Sequence, residues 1–150
     1  MKISMWTATS VIFLIWAVVA SGLAAQYYQT TQNQQTTISN LQSVVNNVAI
    51  KANIGINYGN GTIQWYNGTY VPIGDNLFNA TERVATFNTT TYPGMGTFVT
   101  GINGVMQNTT ASKYWVYDSW NGTAWTIIWV APAEYILHSD EIVMWSLKQF

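Results

Sequence analysis

Hydrophobic and polar positions divide the chain into three stretches with different periods. From Met5 to Ala25 the sequence MWTATSVIFLIWAVVASGLAA is almost uniformly apolar, and about 20 such residues suffice for one helix to span a hydrocarbon core. Gln26 to Ile50 is polar but contains no Gly or Pro, so the helix is predicted to continue outward as a stalk. Within it Ile38, Leu41, Val45 and Val48 are spaced three, four and three apart, as in the seam of a short coiled coil. Near Val48 the period becomes two, with Val48, Ile50, Ala52, Ile54, Ile56 and Tyr58 on one side of a strand. A β-rich head domain is predicted to begin there.

Along the head, Tyr58-Gly59-Asn60-Gly61 reads as a turn, Thr62 to Tyr66 as a strand, Asn67-Gly68 as a second turn and Tyr70-Val71-Pro72 as a short extended piece. Asp75 as N-cap and the spacing Leu77, Ala80, Val84 predict one short helix. Strands follow near Thr97 to Ile102, Lys113 to Trp120, Thr123 to Val130 and Glu141 to Leu147. The expected architecture is α+β: a long N-terminal hydrophobic helix (1–25), a stalk helix (26–49) and a β-rich C-terminal head with one short helix (50–150).

Charge changes how the first stretch is read. No Asp, Glu, Lys, Arg or His occurs from Ile3 to Ile50, and Lys2 supplies a positive flank. A retained membrane anchor fits this pattern, with the remainder outside the cell. So does a secretory signal peptide cleaved after Gly22 or Ala24. A third reading is a pilin-like helix that packs against copies of itself in a filament, with Ile38, Leu41, Val45 and Val48 as the assembly seam, although no basic pilin processing site precedes it.

Charged residues make up 7% of the whole chain, against a usual figure of about 25%. With a net charge of −1 there is no basic surface for nucleic acid. The absence of cysteine removes disulfides and thiolate metal sites, leaving packing to hold the head together; the chain has eight Trp and nine Tyr, most of them in the head. In strong acid carboxylates protonate and ion pairs contribute little, so a surface of Asn, Gln, Ser and Thr points to an extracellular, acidic or hot setting. Asn-X-Thr sequons at Asn60, Asn67, Asn79, Asn88, Asn108 and Asn121 agree with export and glycosylation.

Three segments carry a resemblance over roughly Ala52 to Leu147. They are Gly96-Thr97-Phe98-Val99-Thr100-Gly101-Ile102-Asn103-Gly104-Val105, then Tyr114-Trp115-Val116-Tyr117 leading to Asn121-Gly122, then Tyr135-Ile136-Leu137 through Ser139-Asp140-Glu141-Ile142-Val143-Met144-Trp145. Their order and spacing resemble the small C-terminal domain of transcobalamin and intrinsic factor, also found in bacterial and archaeal surface proteins. Ser139 stands where that pattern has Gly, and the segment from Trp115 to Asn121 is longer by one residue, which implies a bulge and a different last turn. In the vitamin carriers the domain binds cobalamin only together with a large helical barrel, so the resemblance implies a fold, without cobalamin or any other cofactor.

Catalysis lacks parts. His138 is the single histidine, and consecutive strand residues point to alternate faces, so His138, Ser139 and Asp140 do not form a triad. His138 is expected to be an exposed turn residue. Of Asp140 and Glu141, one is expected to face solvent while the other supports the turn. Asp75, Glu82, Asp118 and Glu134 are scattered along the sequence, and no catalytic, metal-binding or cofactor-binding residue is assigned. Trp125, Ile127 and Trp129 share a face expected to be buried. Tyr114 and Trp120 are the residues expected to meet a ligand. The sequence therefore reads as a non-enzymatic extracellular structural protein, a pilin-like filament subunit or membrane-anchored surface protein that self-associates through its helix. The alternative is a surface module that binds a glycan or small ligand.

Overall fold

A computed structural model describes residues 5–94 and 96–150. Its elements in chain order are α1 (Met5–Val48), β1 (Ala49–Asn57), β2 (Ile63–Pro72), α2 (Leu77–Glu82), β3 (Phe87–Tyr92), β4 (Gly96–Ile102), β5 (Val105–Met106), β6 (Lys113–Trp120), β7 (Trp125–Ile127) and β8 (Glu141–Gln149). The chain divides into two units, 1–47 and 48–150.

Helix α1 contains no ion pair among its described residues. The hydroxyls of Ser21, Thr30, Thr31, Thr36 and Thr37 bond back to carbonyls four residues earlier, at 2.8–3.0 Å. The first part of the apolar run falls partly outside the described residues, because the side chains of residues 5–8 and 10–12 are not described. Among those that are, no helix is long and apolar enough to cross a membrane, so the membrane anchor expected of this segment gains no support.

The second unit is built on two sheets. Five strands run in the order β2-β1-β8-β6-β7 and three in the order β3-β4-β5. β1 lies antiparallel to β2 and parallel to β8, pairing Ala52 with Glu141 and Asn57 with Ser146. The period of two in β1 places Ala52, Ile54 and Ile56 at 0% exposure on its inner face. Leu77 and Ala80 from α2, Val99 and Ile102 from β4, Trp115 and Tyr117 from β6, and Val143 and Trp145 from β8 join this core, with Val71, Ala85 and Leu137. The β3–β4 sheet is joined to the rest through the ring of Phe87, 5.3 Å from Trp145 and 4.9 Å from Phe78.

Several expectations need correction. Asn67-Gly68 is no turn: β2 runs continuously from Ile63 to Pro72, with the register shifting between Ala52 and Ile54 opposite it. Gly68 adopts φ +64° there and donates its N–H to Asn53 Oδ1 at 2.9 Å, so the pair forms a bulge. The N-cap of α2 is Asn76, which accepts Asn79 N–H at 2.9 Å; Asp75 instead accepts from Asn76 N–H and Asn79 Nδ2. β6 pairs with β8 from Lys113 to Ser119 without a shift, so the bulge expected before Asn121 is absent. The strand expected over Thr123 to Val130 is only Trp125–Ile127.

On the outer face of the five-stranded sheet, Trp65 and Trp125 come from its opposite edge strands, yet their ring centroids lie 6.4 Å apart. Trp65 reaches inward over Gly55, where a Cβ would stand 2.9 Å from the ring. Trp120 packs against Trp125 at 5.3 Å.

Candidate functional site: an aromatic cavity beside β6

The segment after β7 builds the site. Ile128 N–H bonds to Tyr117 C=O at 3.1 Å, one rung beyond the last β6–β7 pair, and the chain leaves the sheet edge after it. The run through Pro132 to Leu137 is then tied to the α2 region by Leu77 N–H to Tyr135 C=O at 2.9 Å, Phe78 N–H to Pro132 C=O at 3.1 Å and Leu137 N–H to Asp75 C=O at 3.1 Å. This tethered wall stands opposite β4 and encloses with it a cavity of about 710 Å³ alongside β6.

Its lining is largely aromatic and apolar. Phe98, Tyr114 and Trp129 are 45%, 37% and 82% exposed, while Trp115, Tyr117 and Trp145 form the buried floor. Tyr92 supports Phe98 edge-on at 5.6 Å. Polar groups come from Thr97, Thr100, Gln107 and Thr109, and among the described residues Glu134 is the one charged side chain in the lining.

Two tyrosines fasten the wall to the floor. Tyr117 Oη donates to Val130 C=O, and Tyr135 Oη donates to Glu141 Oε1. Glu141 is the collecting point: it also accepts Ser119 Oγ at 3.2 Å and His138 N–H at 2.9 Å. Burial pushes the Tyr117 phenol well above its usual value. Burial, reinforced by the hydrogen bond to Glu141, pushes Tyr135 up to about 12. Both phenols therefore stay protonated across the physiological range and act as fixed donors.

Of the two residues expected to meet a ligand, Tyr114 lines the cavity, whereas Trp120 lies with Trp125 and Trp65 on the outer face of the sheet. The expectation that Trp125 and Trp129 share a buried face is overturned. Trp125, within β7, is 39% exposed, and Trp129 is 82% exposed because the strand stops at Ile127 before reaching it. Trp129 is thus a cavity residue that alternation misassigned, and the Ala131-Pro132 break just after it was the available signal.

The His138 side chain is 79% exposed and Asp140 is exposed at φ +60°, while Glu141 supports the turn, as the sequence led one to expect. Among the described residues no three of His, Cys, Asp and Glu converge on one point. All six sequon asparagines are exposed. Ile38, Leu41, Val45 and Val48 are 55%, 60%, 36% and 61% exposed on α1.

Residues 74–149, half of the chain, match the family described as Domain of unknown function (DUF4430). No curated protein sequence matches. Among solved structures, haptocorrin in complex with Cbi is similar at a TM-score of 0.54 and 18% identity, over 66% of this chain and 25% of haptocorrin. A candidate metal-binding protein from Ruminococcus gnavus ATCC 29149 is similar at 0.52 and 12% identity, over 67% of this chain and 98% of its own. These likenesses establish the fold: the head has the transcobalamin-type C-terminal architecture that its motifs resemble.

Proposed function

The chain belongs to the DUF4430 family, and from that premise we propose that its head domain is a non-enzymatic, extracellular ligand-binding module whose site is the cavity beside β6. The carrying observation is the cavity itself. At about 710 Å³ it falls within the roughly 300–1,000 Å³ of small-ligand sites, and it combines aromatic walls with few polar groups, as such sites do. The hydrogen-bonded wall is preformed, which lowers the ordering cost of binding. Support for an extracellular setting comes from the six exposed sequons. The haptocorrin structure supports the binding reading, since that related fold holds a small ligand, Cbi.

The test is titration of the full chain with cobinamide and with a panel of neutral oligosaccharides, followed by tryptophan fluorescence. Trp129→Ala and Tyr114→Ala are expected to weaken binding at least tenfold, while stability changes by no more than about 0.5 kcal/mol for the exposed Trp129. The proposal is overturned if the cavity tryptophans stay unperturbed by every ligand of this panel and also by uncharged peptides.

For α1 we infer a second role, assembly with other copies of this chain in a filament or at a membrane surface. The supporting observation is that all four seam residues are exposed on a helix devoid of charge, whose isolated stability is low. Sedimentation of the full chain should show concentration-dependent association that Leu41→Asn combined with Val45→Asn abolishes. A monomer at all concentrations refutes it.

A further inference from the structure

One edge of β6 is open where it borders the cavity. β6 pairs with β8 from Lys113 to Ser119 without a register shift, so successive residues send their N–H and C=O groups alternately toward β8 and away from it. Two sets of bonds fix which residues face away. Lys113 exchanges hydrogen bonds with Asn108 at 2.8 and 2.9 Å, and Tyr117 C=O accepts Ile128 N–H at 3.1 Å. Trp115 lies midway between Lys113 and Tyr117 and has the same orientation. Its N–H and C=O face that same edge, yet β7 pairs only with Asp118, Ser119 and Trp120, and among the described residues no strand pairs with Trp115 there. The indole of Trp115 is held by its own bond, Nε1 to Val105 C=O at 3.0 Å, so the backbone groups are the ones left over.

The opposite wall repeats the pattern. β5 pairs only with Gly101 and Ile102 of β4, and Gln107 N–H extends this to Thr100 C=O. Beyond that point, from Gly96 to Val99, the outer edge of β4 carries no strand partner among the described residues, and Thr97, Phe98 and Val99 line the cavity.

We propose that the cavity takes an extended, uncharged peptide segment, which adds to the open edge of β6 at Trp115. This rests on the reading of the cavity as the ligand site and names the ligand class. One donor and one acceptor at a single strand position complement the C=O and N–H of one peptide residue, the pairing by which strands are added to sheet edges. Asn108 and Ile128 already fill the positions on either side, so the added segment is short. Its alternate side chains would meet the rings of Phe98, Tyr114 and Trp129. Exposed edges are commonly protected by lysine; among the described residues the lining has no Lys, Arg or His, and its single carboxylate, Glu134, disfavours acidic peptides.

The experiment uses the full chain labelled with ¹⁵N and a library of capped, uncharged pentapeptides alternating Thr with Val, Phe or Tyr. The Trp115 amide and Trp129 indole signals are followed, alongside separate titrations with cobinamide and neutral oligosaccharides. The expected result is a peptide that shifts both signals, slows Trp115 amide exchange at least tenfold, and loses at least tenfold in affinity when its central amide is N-methylated. Peptide binding that leaves the Trp115 amide unmoved and ignores N-methylation overturns the proposal. If every peptide fails while cobinamide or a sugar shifts the Trp129 indole, the peptide inference falls and the ligand-site reading stands. If no probe shifts either signal, both fall.

Discussion

Replacing Thr81 with valine removes one hydroxyl from the centre of the head and tests the account of its core. Thr81 on α2 and Trp145 on β8 are 0% and 1% exposed, and Trp145 Nε1 donates to Thr81 Oγ1 at 3.0 Å. Thr81 Oγ1 in turn donates to Leu77 C=O at 2.8 Å. Valine keeps the branching and nearly the volume, so no cavity opens. What changes is that the indole N–H is left buried without an acceptor, which costs about 1–3 kcal/mol. For a domain of about 100 residues each kcal/mol moves Tm by roughly 4–8 °C, so a fall of roughly 5–20 °C is expected. Thr81 also completes the sequon of Asn79, so the variants belong in a host that does not glycosylate. Urea denaturation followed by tryptophan fluorescence gives the free energies, and Thr81→Ser, which keeps the acceptor, should lose much less. A cycle with Trp145→Phe should return a coupling of about 0.5–3 kcal/mol. If Thr81→Val costs under about 0.5 kcal/mol, or no more than Thr81→Ser, the indole bond contributes nothing and the reasoning fails.

Gly59→Ala should destabilise by at least about 1 kcal/mol, read as a lower urea midpoint, since φ is +68° and a Cβ would stand 2.5 Å from Leu147 C=O. Tyr135 is pushed from 10.0 to about 12 and Tyr117 is raised further, so the stability they confer is complete below about pH 10 and is lost as pH rises toward the folded-state values. The denaturation midpoint should therefore fall above pH 10, and Tyr135→Phe should flatten that fall. Burial raises the Asp75 carboxyl, but hydrogen bonds from Asn79, the Asn76 N–H and Arg83 outweigh it and leave the pKa below its usual 3.8. Its contribution is present above about pH 4 and lost in stronger acid, a dependence that Asp75→Asn should remove. Glycopeptide mass spectrometry of native material should find Asn79 the least occupied sequon, because its Nδ2 is already bonded to Asp75 at 2.8 Å. Equal occupancy at all six would contradict this.

Strands whose two faces differ in polarity were legible. Ala52, Ile54 and Ile56 alternate with polar residues and sit in the core, and β6 occupies Lys113 to Trp120, the bounds expected of it. β3 was not legible, because Phe87-Asn88-Thr89-Thr90-Thr91-Tyr92 carries no apolar alternation and only Phe87 packs inward. β2 was split in two by Asn67-Gly68, since the dipeptide that favours a hairpin turn also suits a bulge, and only the partner strand decides between them. The cavity was half visible: Tyr114 was named, but the wall from Ile128 to Leu137 is held by bonds to Tyr117, Asp75, Leu77 and Phe78 that no local pattern encodes. Trp65 and Trp125 meet across the sheet for the same long-range reason.

The parallel pairing of β1 with β8 also constrains how the head is made. β8 occupies the middle of the five-stranded sheet, yet in sequence it is the last strand of the head. Until it emerges, no strand joins β1 to β6, and the sheet face that carries Ile54, Ile56, Trp115 and Tyr117 is split in two. Contacts between Ala52 and Glu141 span most of the head in sequence, a topology that slows folding. The head therefore closes only after β8 has been made, and a head kept open until that moment is one that can be threaded through an export channel before it folds.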